Sequence, residues 1–178
     1  MAEEFKRLSR DLIYEGSIID YYKDTIQVPN GNVVKWDFIG HKGAAAIVPV
    51  TEDGKILMVR QYRNALDRYT LEIPAGGLNP GEDTKTAATR ELEEETGYKA
   101  GKFEFLLSIR TTVAFCNELI DIYLAEDLEE GEQHLDEDEY LEIVEYPLSE
   151  LLDMIEKGVI QDSKTVSAIL AYSRKRGL

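Results

Sequence analysis

Apolar and polar positions in the first part of the chain follow the pattern of β-strands. β-branched and aromatic residues cluster in three short runs before residue 40, at 18–22, 25–28 and 33–39. A Pro29-Asn30-Gly31 turn precedes the third run, and Asn-Gly between such runs is a strong hairpin signal. This pattern predicts a strand-rich N-terminal region.

The segment 44–50, AAAIVPV, is apolar at every position. A strand with no polar face is typical of the centre of a sheet that is covered on both sides. A turn at Asp53-Gly54 follows, and a second apolar run occupies 56–62. We therefore predict a second hairpin, made of 44–50 and 56–62, whose first strand is central and buried.

A helix is predicted after a short strand at 70–73 and the segment Pro74-Ala75-Gly76-Gly77. Asp83 and Thr84 are its candidate N-cap residues, because short polar side chains accept hydrogen bonds from the free amides of a first turn. Gly97 is placed to end the helix in the left-handed conformation. The apolar side of the helix is formed by Ala87, Ala88 and Leu92.

The remainder of the chain predicts more strands and two further helices. The strands lie at 103–110, 119–125 and 141–146, and the helices run from Pro147 to residue 154 and over 163–174. Strands dominate, with helices interspersed and at the end, so the fold class is α+β. We divide the 178 residues into a β-rich N-terminal extension, 1–40, and a main domain, 41–178.

Composition narrows the class of protein. A net charge of −15 excludes nucleic acid as a partner, since phosphate backbones require basic surfaces. No apolar run is long enough to span a membrane, and the opening MAEEFKRLSR lacks the pattern of a signal peptide. The lone Cys116 excludes an internal disulfide and is expected to be a packing residue. We expect a cytoplasmic protein without membrane contact.

Three carboxylates on the predicted helix, Glu91, Glu94 and Glu95, are spaced so that they share one face. Such an oxygen-only donor set suits Mg²⁺ or Mn²⁺, which usually bind together with substrate phosphates. By themselves, the same residues also fit a solvated acidic face that is paired with Lys85 and Arg90. The spacing leaves both readings open.

The surrounding residues resemble a known family. The pattern G-x5-E-x7-R-E-U-x-E-E-x-G-U, in which U is apolar, is the signature of the Nudix hydrolases, and this chain matches it at every position. The matching residues are Gly76, Glu82, Arg90, Glu91, Leu92, Glu94, Glu95, Gly97 and Tyr98. The segments HKGAAAIVPV, RQYR, LEIPAGG and LDEDEYLEIVEYPLSELL further resemble the ADP-ribose pyrophosphatase subgroup. Together they cover most of 41–155.

The resemblance implies a Nudix-type α/β/α sandwich with a mixed sheet and, from the 1–40 extension, a homodimer. It implies hydrolysis of a nucleotide sugar, ADP-ribose, to AMP and ribose 5-phosphate. Mg²⁺ is the implied cofactor, with Mn²⁺ as an alternative and two or more ions per site. The implied metal ligands are Glu91, Glu95, Glu94 and the backbone carbonyl of Ala75.

The resemblance also implies roles for other residues. Glu139 matches the subgroup's general base best and Glu137 is the second candidate, unless metal-bound hydroxide needs no separate base. Glu95, an implied metal ligand, is also counted as a catalytic residue. Arg63 of RQYR matches an arginine that reaches the substrate phosphate, while Arg60 lies on the other face of that strand; a surface ion pair is the alternative for Arg63. Trp36 would stack on adenine or pack in the dimer interface. Glu82, Arg90, Gly76 and Gly97 are structural residues of the motif, with Glu82 and Arg90 paired.

The chain departs from the subgroup at three places, one of which is a loop that borders the substrate. Val113 and Ala114 replace the usual Pro-Gly of a Ser-Pro-Gly turn, Lys42 replaces the proline of His-Pro-Gly-Ala, and Trp36 replaces an arginine. Valine and alanine do not reproduce a turn that needs a fixed φ and a positive φ. Another nucleoside diphosphate sugar, such as a GDP-sugar, is therefore the alternative substrate. A non-catalytic, ligand-sensing Nudix module is the alternative function.

Overall fold

The structure is a computed structural model that describes residues 4–135 and 139–177. The strands of the described chain are β1 Lys6–Glu15, β2 Ile19–Gln27, β3 Val33–His41, β4 Ala44–Pro49, β5 Lys55–Arg63, β6 Arg68–Glu72, β7 Ala75–Gly77, β8 Tyr98–Arg110, β9 Leu119–Glu130 and β10 Leu141–Pro147. Its helices are α1 Thr84–Thr96, α2 Leu148–Glu156 and α3 Ser163–Arg176, with a short 3₁₀ turn at Asn64–Leu66. The chain divides into two compact units. One runs to Gly43 and includes Arg110–Leu119; the other comprises Ala44–Ile109 and the chain from Ile120 onward.

The N-terminal unit is built on an antiparallel sheet in the order β1-β2-β3. The predicted turn at Pro29-Asn30-Gly31 connects β2 to β3, and Gly31 has the positive φ (88°) that such a turn needs. One strand was missed and one prediction was wrong here. β1 was not predicted, and the runs at 18–22 and 25–28 form one continuous strand, β2. Lys23 and Asp24 between those runs did not break the strand because each is paired, Lys23 with Asp37 and Asp24 with Arg10.

The second unit contains two sheets. One is mixed, in the order β7-β4-β9-β8, with β4 parallel to β9 and antiparallel to β7. The other is antiparallel, in the order β10-β5-β6. The prediction of an α+β fold with a mixed sheet is thereby confirmed.

The predicted hairpin of 44–50 and 56–62 was wrong in its pairing. β4 and β5 follow one another through a tight turn, but they belong to different sheets and share only an isolated bridge between Val50 and Ile56. A turn fixes strand pairing only next to itself. Beyond the turn, each of these strands pairs with partners that lie far away in the sequence.

Strand β4 is the centre of the second unit, and all six of its residues are buried. Ala45 and Ile47 pack in one cluster with Leu92 of α1. The alternate residues of β4 pack in a second cluster that includes Leu151 of α2 and Ile169 of α3. Because successive side chains of a strand point to opposite faces, helices cover β4 on both sides. The prediction of a central, buried strand is confirmed, and the layers are those of an α/β/α sandwich.

None of the described helices is both long and apolar enough to cross a membrane.

Candidate active site

Helix α1 is capped at both ends by the predicted residues. The Asp83 carboxylate accepts hydrogen bonds from the backbone N–H groups of Lys85 and Thr86, both at 3.1 Å. Gly97 ends the helix with a φ of 73°. The buried side chains Ala87, Ala88 and Leu92 hold the helix in the core. Its glutamates therefore have fixed positions.

Glu95 is the most buried of these glutamates, with 2% of its surface exposed. Its Oε2 accepts a hydrogen bond from the Ala75 N–H at 3.0 Å. The pKa of Glu95 is raised to about 8, chiefly by burial and in addition by the negative charges of Glu91 and Glu139. A single hydrogen bond from a backbone N–H does not compensate the charge of so buried a carboxylate. A cation bound next to Glu95 would compensate it.

Glu91 lies one helical turn from Glu95 and directly against the backbone of Gly76. A Cβ atom added to Gly76 would lie 1.9 Å from Oε1 of Glu91, so any other residue here would displace that carboxylate. The same carboxylate is buried, and burial raises its pKa. Glycine at position 76 therefore allows the strand β7 and a buried carboxylate to touch.

Arg90 connects the helix to the loop before it. Its Nε and Nη2 donate to the two carboxylate oxygens of Glu82 at 3.0 Å each, and Nη2 also donates to the Gly77 carbonyl at 3.0 Å. Nη1 donates to Glu91 and to Glu94 at 2.7 Å each. The expected pairing of Glu82 and Arg90 is present. Arg90 also holds Glu94, whose side chain is 39% exposed.

The donor set fits a hard cation. Within residues 4–135 and 139–177, no three acidic, histidine or cysteine side chains form a preassembled cation site. Glu91 and Glu95, however, are two buried carboxylates whose charges oppose each other, next to a backbone that a glycine brings into contact. Hard divalent ions are bound by carboxylate and carbonyl oxygens of this kind.

Glu139, one of the two candidate general bases, is near enough to these carboxylates for its charge to act on both of them. The Glu139 side chain is half-buried, and its charge raises the pKa of both Glu91 and Glu95. Glu137 lies outside the described residues. The proximity of Glu139 was predicted only from resemblance, since nothing local in LDEDEYLEI distinguishes one acid from another.

Arg63 and Arg60 are both paired. Arg63 donates two hydrogen bonds to the carboxylate of Glu72, at 2.8 and 2.6 Å. Arg60 contacts Glu142 at 3.3 Å and stacks over the ring of Tyr69 at 4.2 Å. Arg63 is near enough to Glu95 for that carboxylate to raise the pKa of the guanidinium, as Glu72 does more strongly.

A buried charge cluster next to Arg63 was not predicted. Glu72 is 3% exposed and is also contacted by Nζ of Lys164, which is 6% exposed, and by the Thr70 hydroxyl at 2.6 Å. These partners lower the pKa of Glu72 to about 2 in spite of its burial. Lys164 is on α3, 92 residues along the chain from Glu72, and no sequence signal pairs the two.

Two other predicted features belong to the N-terminal unit. The Trp36 side chain is 49% exposed, and its ring centroid is 5.9 Å from that of Phe5. The loop that carries Val113 closes with a hydrogen bond from the Cys116 N–H to the Thr112 carbonyl at 3.0 Å. No residue of this loop has a positive φ, and Val113 is 81% exposed. The loop thus forms a turn that does not require Pro-Gly.

Comparisons with known proteins agree with these features. A sequence model of the NUDIX domain family matches residues 40–169. A Bacillus subtilis (strain 168) protein named ADP-ribose pyrophosphatase is 40% identical over 177 residues, which cover 98% of this chain and 96% of that protein. A Bacillus methanolicus protein named methanol dehydrogenase activator is 41% identical over 168 residues, or 93% of this chain and 91% of that protein. A crystal structure described as an ADP compounds hydrolase has a TM-score of 0.85 at 24% identity, covers 98% of this chain and 96% of its own, and supports the fold.

Proposed function

The chain is a hydrolase that belongs to the Nudix family, and from this premise we propose that it hydrolyses the diphosphate of ADP-ribose, or of a close ADP-sugar, to AMP and ribose 5-phosphate. The observation that carries the proposal is the buried pair Glu91 and Glu95 against the backbone of Ala75 and Gly76. This pair lies within a chain that matches an ADP-ribose pyrophosphatase almost from end to end.

Mg²⁺, or Mn²⁺ in its place, is the proposed cofactor, with two or more ions per site. Glu91, Glu94, Glu95 and the Ala75 carbonyl would hold it. Divalent ions at such a site neutralise pyrophosphate charge and lower the pKa of an attacking water. Glu94 would give up its contact with Arg90 in order to bind the metal. The Arg90 guanidinium would keep Glu82 and Gly77 as partners.

The chain's own residues supply the remaining steps. Glu139 is the proposed general base that takes the proton of the attacking water. Its negative charge helps to raise the pKa of Glu91 and Glu95. Glu137 is the second candidate. Arg63, through the exposed part of its side chain, is proposed to contact a substrate phosphate. Arg60, on the other face of the strand, is the second arginine proposed for substrate binding. Trp36 is proposed to stack on the base.

A second substrate class is favoured by the loop at Val113. Because this loop forms a different turn from Pro-Gly and exposes Val113, the part of the substrate beyond the diphosphate is the part most open to change. A GDP-sugar is therefore the alternative. A sensor without catalysis is less consistent with the site, since a site without chemistry has no need for buried carboxylates of like charge.

We also propose a homodimer in the cytoplasm. Large apolar side chains of the N-terminal unit are exposed in the single chain, and such patches usually mark protein interfaces. They include Phe5, Leu8, Leu12, Ile13, Tyr14, Ile18, Val33 and Trp36. The unpaired Cys116 suits a reducing compartment. Sedimentation equilibrium tests the dimer, and a monomer mass at micromolar concentration would contradict it.

The test of function is AMP formation from ADP-ribose, measured in Mg²⁺ and in EDTA. Turnover of GDP-mannose, the alternative substrate, is measured in parallel under the same conditions. We expect turnover of ADP-ribose in Mg²⁺ alone. Glu139→Gln is expected to lower kcat by about 10²- to 10⁴-fold, the range for loss of a general base. Glu145→Gln, an exposed glutamate paired with Lys55, is the matched control and should retain activity.

Faster turnover of GDP-mannose would replace the substrate by the GDP-sugar alternative. Binding of ADP-ribose without turnover of any nucleoside diphosphate sugar would establish the sensor instead. An unchanged kcat in Glu139→Gln would transfer the role of base to Glu137 or to metal-bound hydroxide.

A further inference from the structure

The four residues that lead into the candidate metal site are held by several elements of the second unit. Glu72 ends strand β6 and Ala75 begins β7, with Ile73 and Pro74 buried between them. The contacts are Glu72 with Arg63, Thr70 and Lys164; Ile73 N–H with the Thr165 hydroxyl; Pro74 carbonyl with Ile47 N–H; and Ala75 N–H with Glu95. Two of these contacts come from helix α3. Helix α3 therefore helps to fix the position of the segment 72–75.

Thr165 makes the first of the α3 contacts. Its side chain is fully buried, and its Oγ1 accepts a hydrogen bond from the Ile73 N–H at 3.0 Å. The same hydroxyl donates to Oδ2 of Asp162 at 2.6 Å, and this oxygen also accepts from the Thr165 N–H at 3.0 Å as the helix cap. One hydroxyl thus connects the start of α3 to the backbone two residues before Ala75.

Lys164 makes the second contact. Its Nζ contacts the carboxylates of Glu72 and Asp162, the latter at 2.9 Å. A buried carboxylate is tolerated only when it is paired and hydrogen-bonded, so Glu72 depends on Lys164 as well as on Arg63. Removing the ammonium leaves Glu72 with fewer partners and free to shift together with its backbone.

We propose that Thr165 and Lys164 are positioning residues which set the affinity for divalent metal by fixing the Ala75 backbone against Glu95. The inference rests on the proposed function, because metal binding at Ala75 and Glu95 is part of it. Neither residue touches the metal or the substrate. They act through the segment 72–75, and α3 becomes part of the metal site although it contributes no ligand.

Thr165→Val tests the inference with little change of shape. Valine keeps the volume of threonine but leaves the buried Ile73 N–H without its acceptor, and an unsatisfied buried N–H favours displacement of the backbone. Mn²⁺ affinity is measured without substrate, from the electron paramagnetic resonance signal of free Mn²⁺. Mutation of residues that hold metal ligands in place typically lowers metal affinity by about 10- to 100-fold, so we expect the Kd for Mn²⁺ to rise about 10-fold.

Three further variants separate positioning from general destabilisation. Thr165→Ser keeps the hydroxyl and is expected to restore the wild-type Kd. Ile169→Ala removes a buried side chain of the same helix that belongs to the core cluster; it should lower Tm and leave the Kd unchanged. Lys164→Met should raise the Kd as Thr165→Val does, and it provides the same test if Thr165→Val does not fold. For both positioning variants, excess Mn²⁺ should restore kcat with an unchanged KM for ADP-ribose.

The outcomes distinguish this inference from the proposed function. Wild-type protein that binds Mn²⁺ and hydrolyses ADP-ribose, with the same Kd in a folded Thr165→Val or Lys164→Met variant, overturns the positioning role alone. Wild-type protein that binds no Mn²⁺ and hydrolyses nothing overturns the proposed function and the inference with it. A rise in Kd for Ile169→Ala equal to that for Thr165→Val also counts against positioning.

Discussion

We expect Glu95→Gln to stabilise the metal-free protein at alkaline pH while it removes the metal-dependent activity. Glu95 is almost fully buried, and its pKa is about 8 because of that burial and of the neighbouring Glu91 and Glu139. Glutamine keeps a carbonyl oxygen for the Ala75 N–H but carries no charge. The substitution therefore removes the cost of ionising this buried group.

The magnitude follows from linkage between protonation and folding. An ordinary glutamate has a pKa of 4.5, so between about pH 4.5 and pH 8 the folded chain keeps a proton on Glu95 that the unfolded chain has lost. Stability consequently falls as pH rises through this window. At about 1.36 kcal/mol per pH unit, the fall amounts to at most about 5 kcal/mol. Glu95→Gln lacks this fall and should be the more stable protein at pH 8.

The assay is urea unfolding in EDTA from about pH 5 to about pH 8.5, repeated with saturating Mg²⁺. Metal at 100 times its Kd should add about 2.7 kcal/mol to the wild-type protein and nothing to Glu95→Gln. Glu93→Gln is the matched control, because Glu93 lies on the same helix and pairs with Lys99 near the surface. A wild-type stability that does not fall with pH in EDTA, relative to Glu95→Gln, would show that Glu95 is ionised in the metal-free fold and refute the reasoning.

Gly76→Ala places a Cβ 1.9 Å from the Glu91 carboxylate and should reduce kcat/KM by about 100-fold or more, whereas a Cβ at Gly77 meets nothing within 4 Å and Gly77→Ala should remain active. Equal activities of the two variants would show that the contact with Glu91 is unimportant. Asp83→Ala removes the α1 cap and should lower the free energy of unfolding by about 1 kcal/mol in urea, and no loss would mean that the cap is replaced by solvent. Trp36 is the single tryptophan, so AMP should quench the intrinsic fluorescence; an unchanged spectrum would remove Trp36 from the base pocket.

Local signals in the sequence were sufficient for the helix that carries the site. Asp83 and Gly97 define the ends of α1, and the spacing of Ala87, Ala88 and Leu92 defines its buried side. These features depend on residues within one or two turns of each other. A pattern within a single element therefore predicted the helix and its buried side, whereas the spacing alone left open whether its glutamates face solvent or a cation.

Local patterns did not predict which strands and side chains pair when they are far apart in the sequence. The segments 44–50 and 56–62 look like a hairpin because a turn separates two apolar runs, yet β4 and β5 belong to different sheets. Strand β1 was missed because its sequence, KRLSRDLIYE, is rich in charge. The cluster of Glu72, Arg63 and Lys164 joins elements that no local pattern connects. In each case the partner across space decides the structure, and a single sequence does not name that partner.

The pairing of the basic residues determines where the positive charge for the proposed diphosphate substrate would come from. Arg90, Arg63 and Lys164 are the cations whose charges act on Glu91 or Glu95, and each is bound to carboxylates of the protein. The carboxylates of the protein therefore largely neutralise these three cations, which in turn hold the carboxylates in place. In the proposed function, the positive charge that attracts the substrate to a chain of net charge −15 would then come chiefly from bound divalent ions. Affinity for ADP-ribose should accordingly depend steeply on Mg²⁺, and far less on the loss of an exposed arginine without a proposed role, such as Arg68, which donates to Gln161.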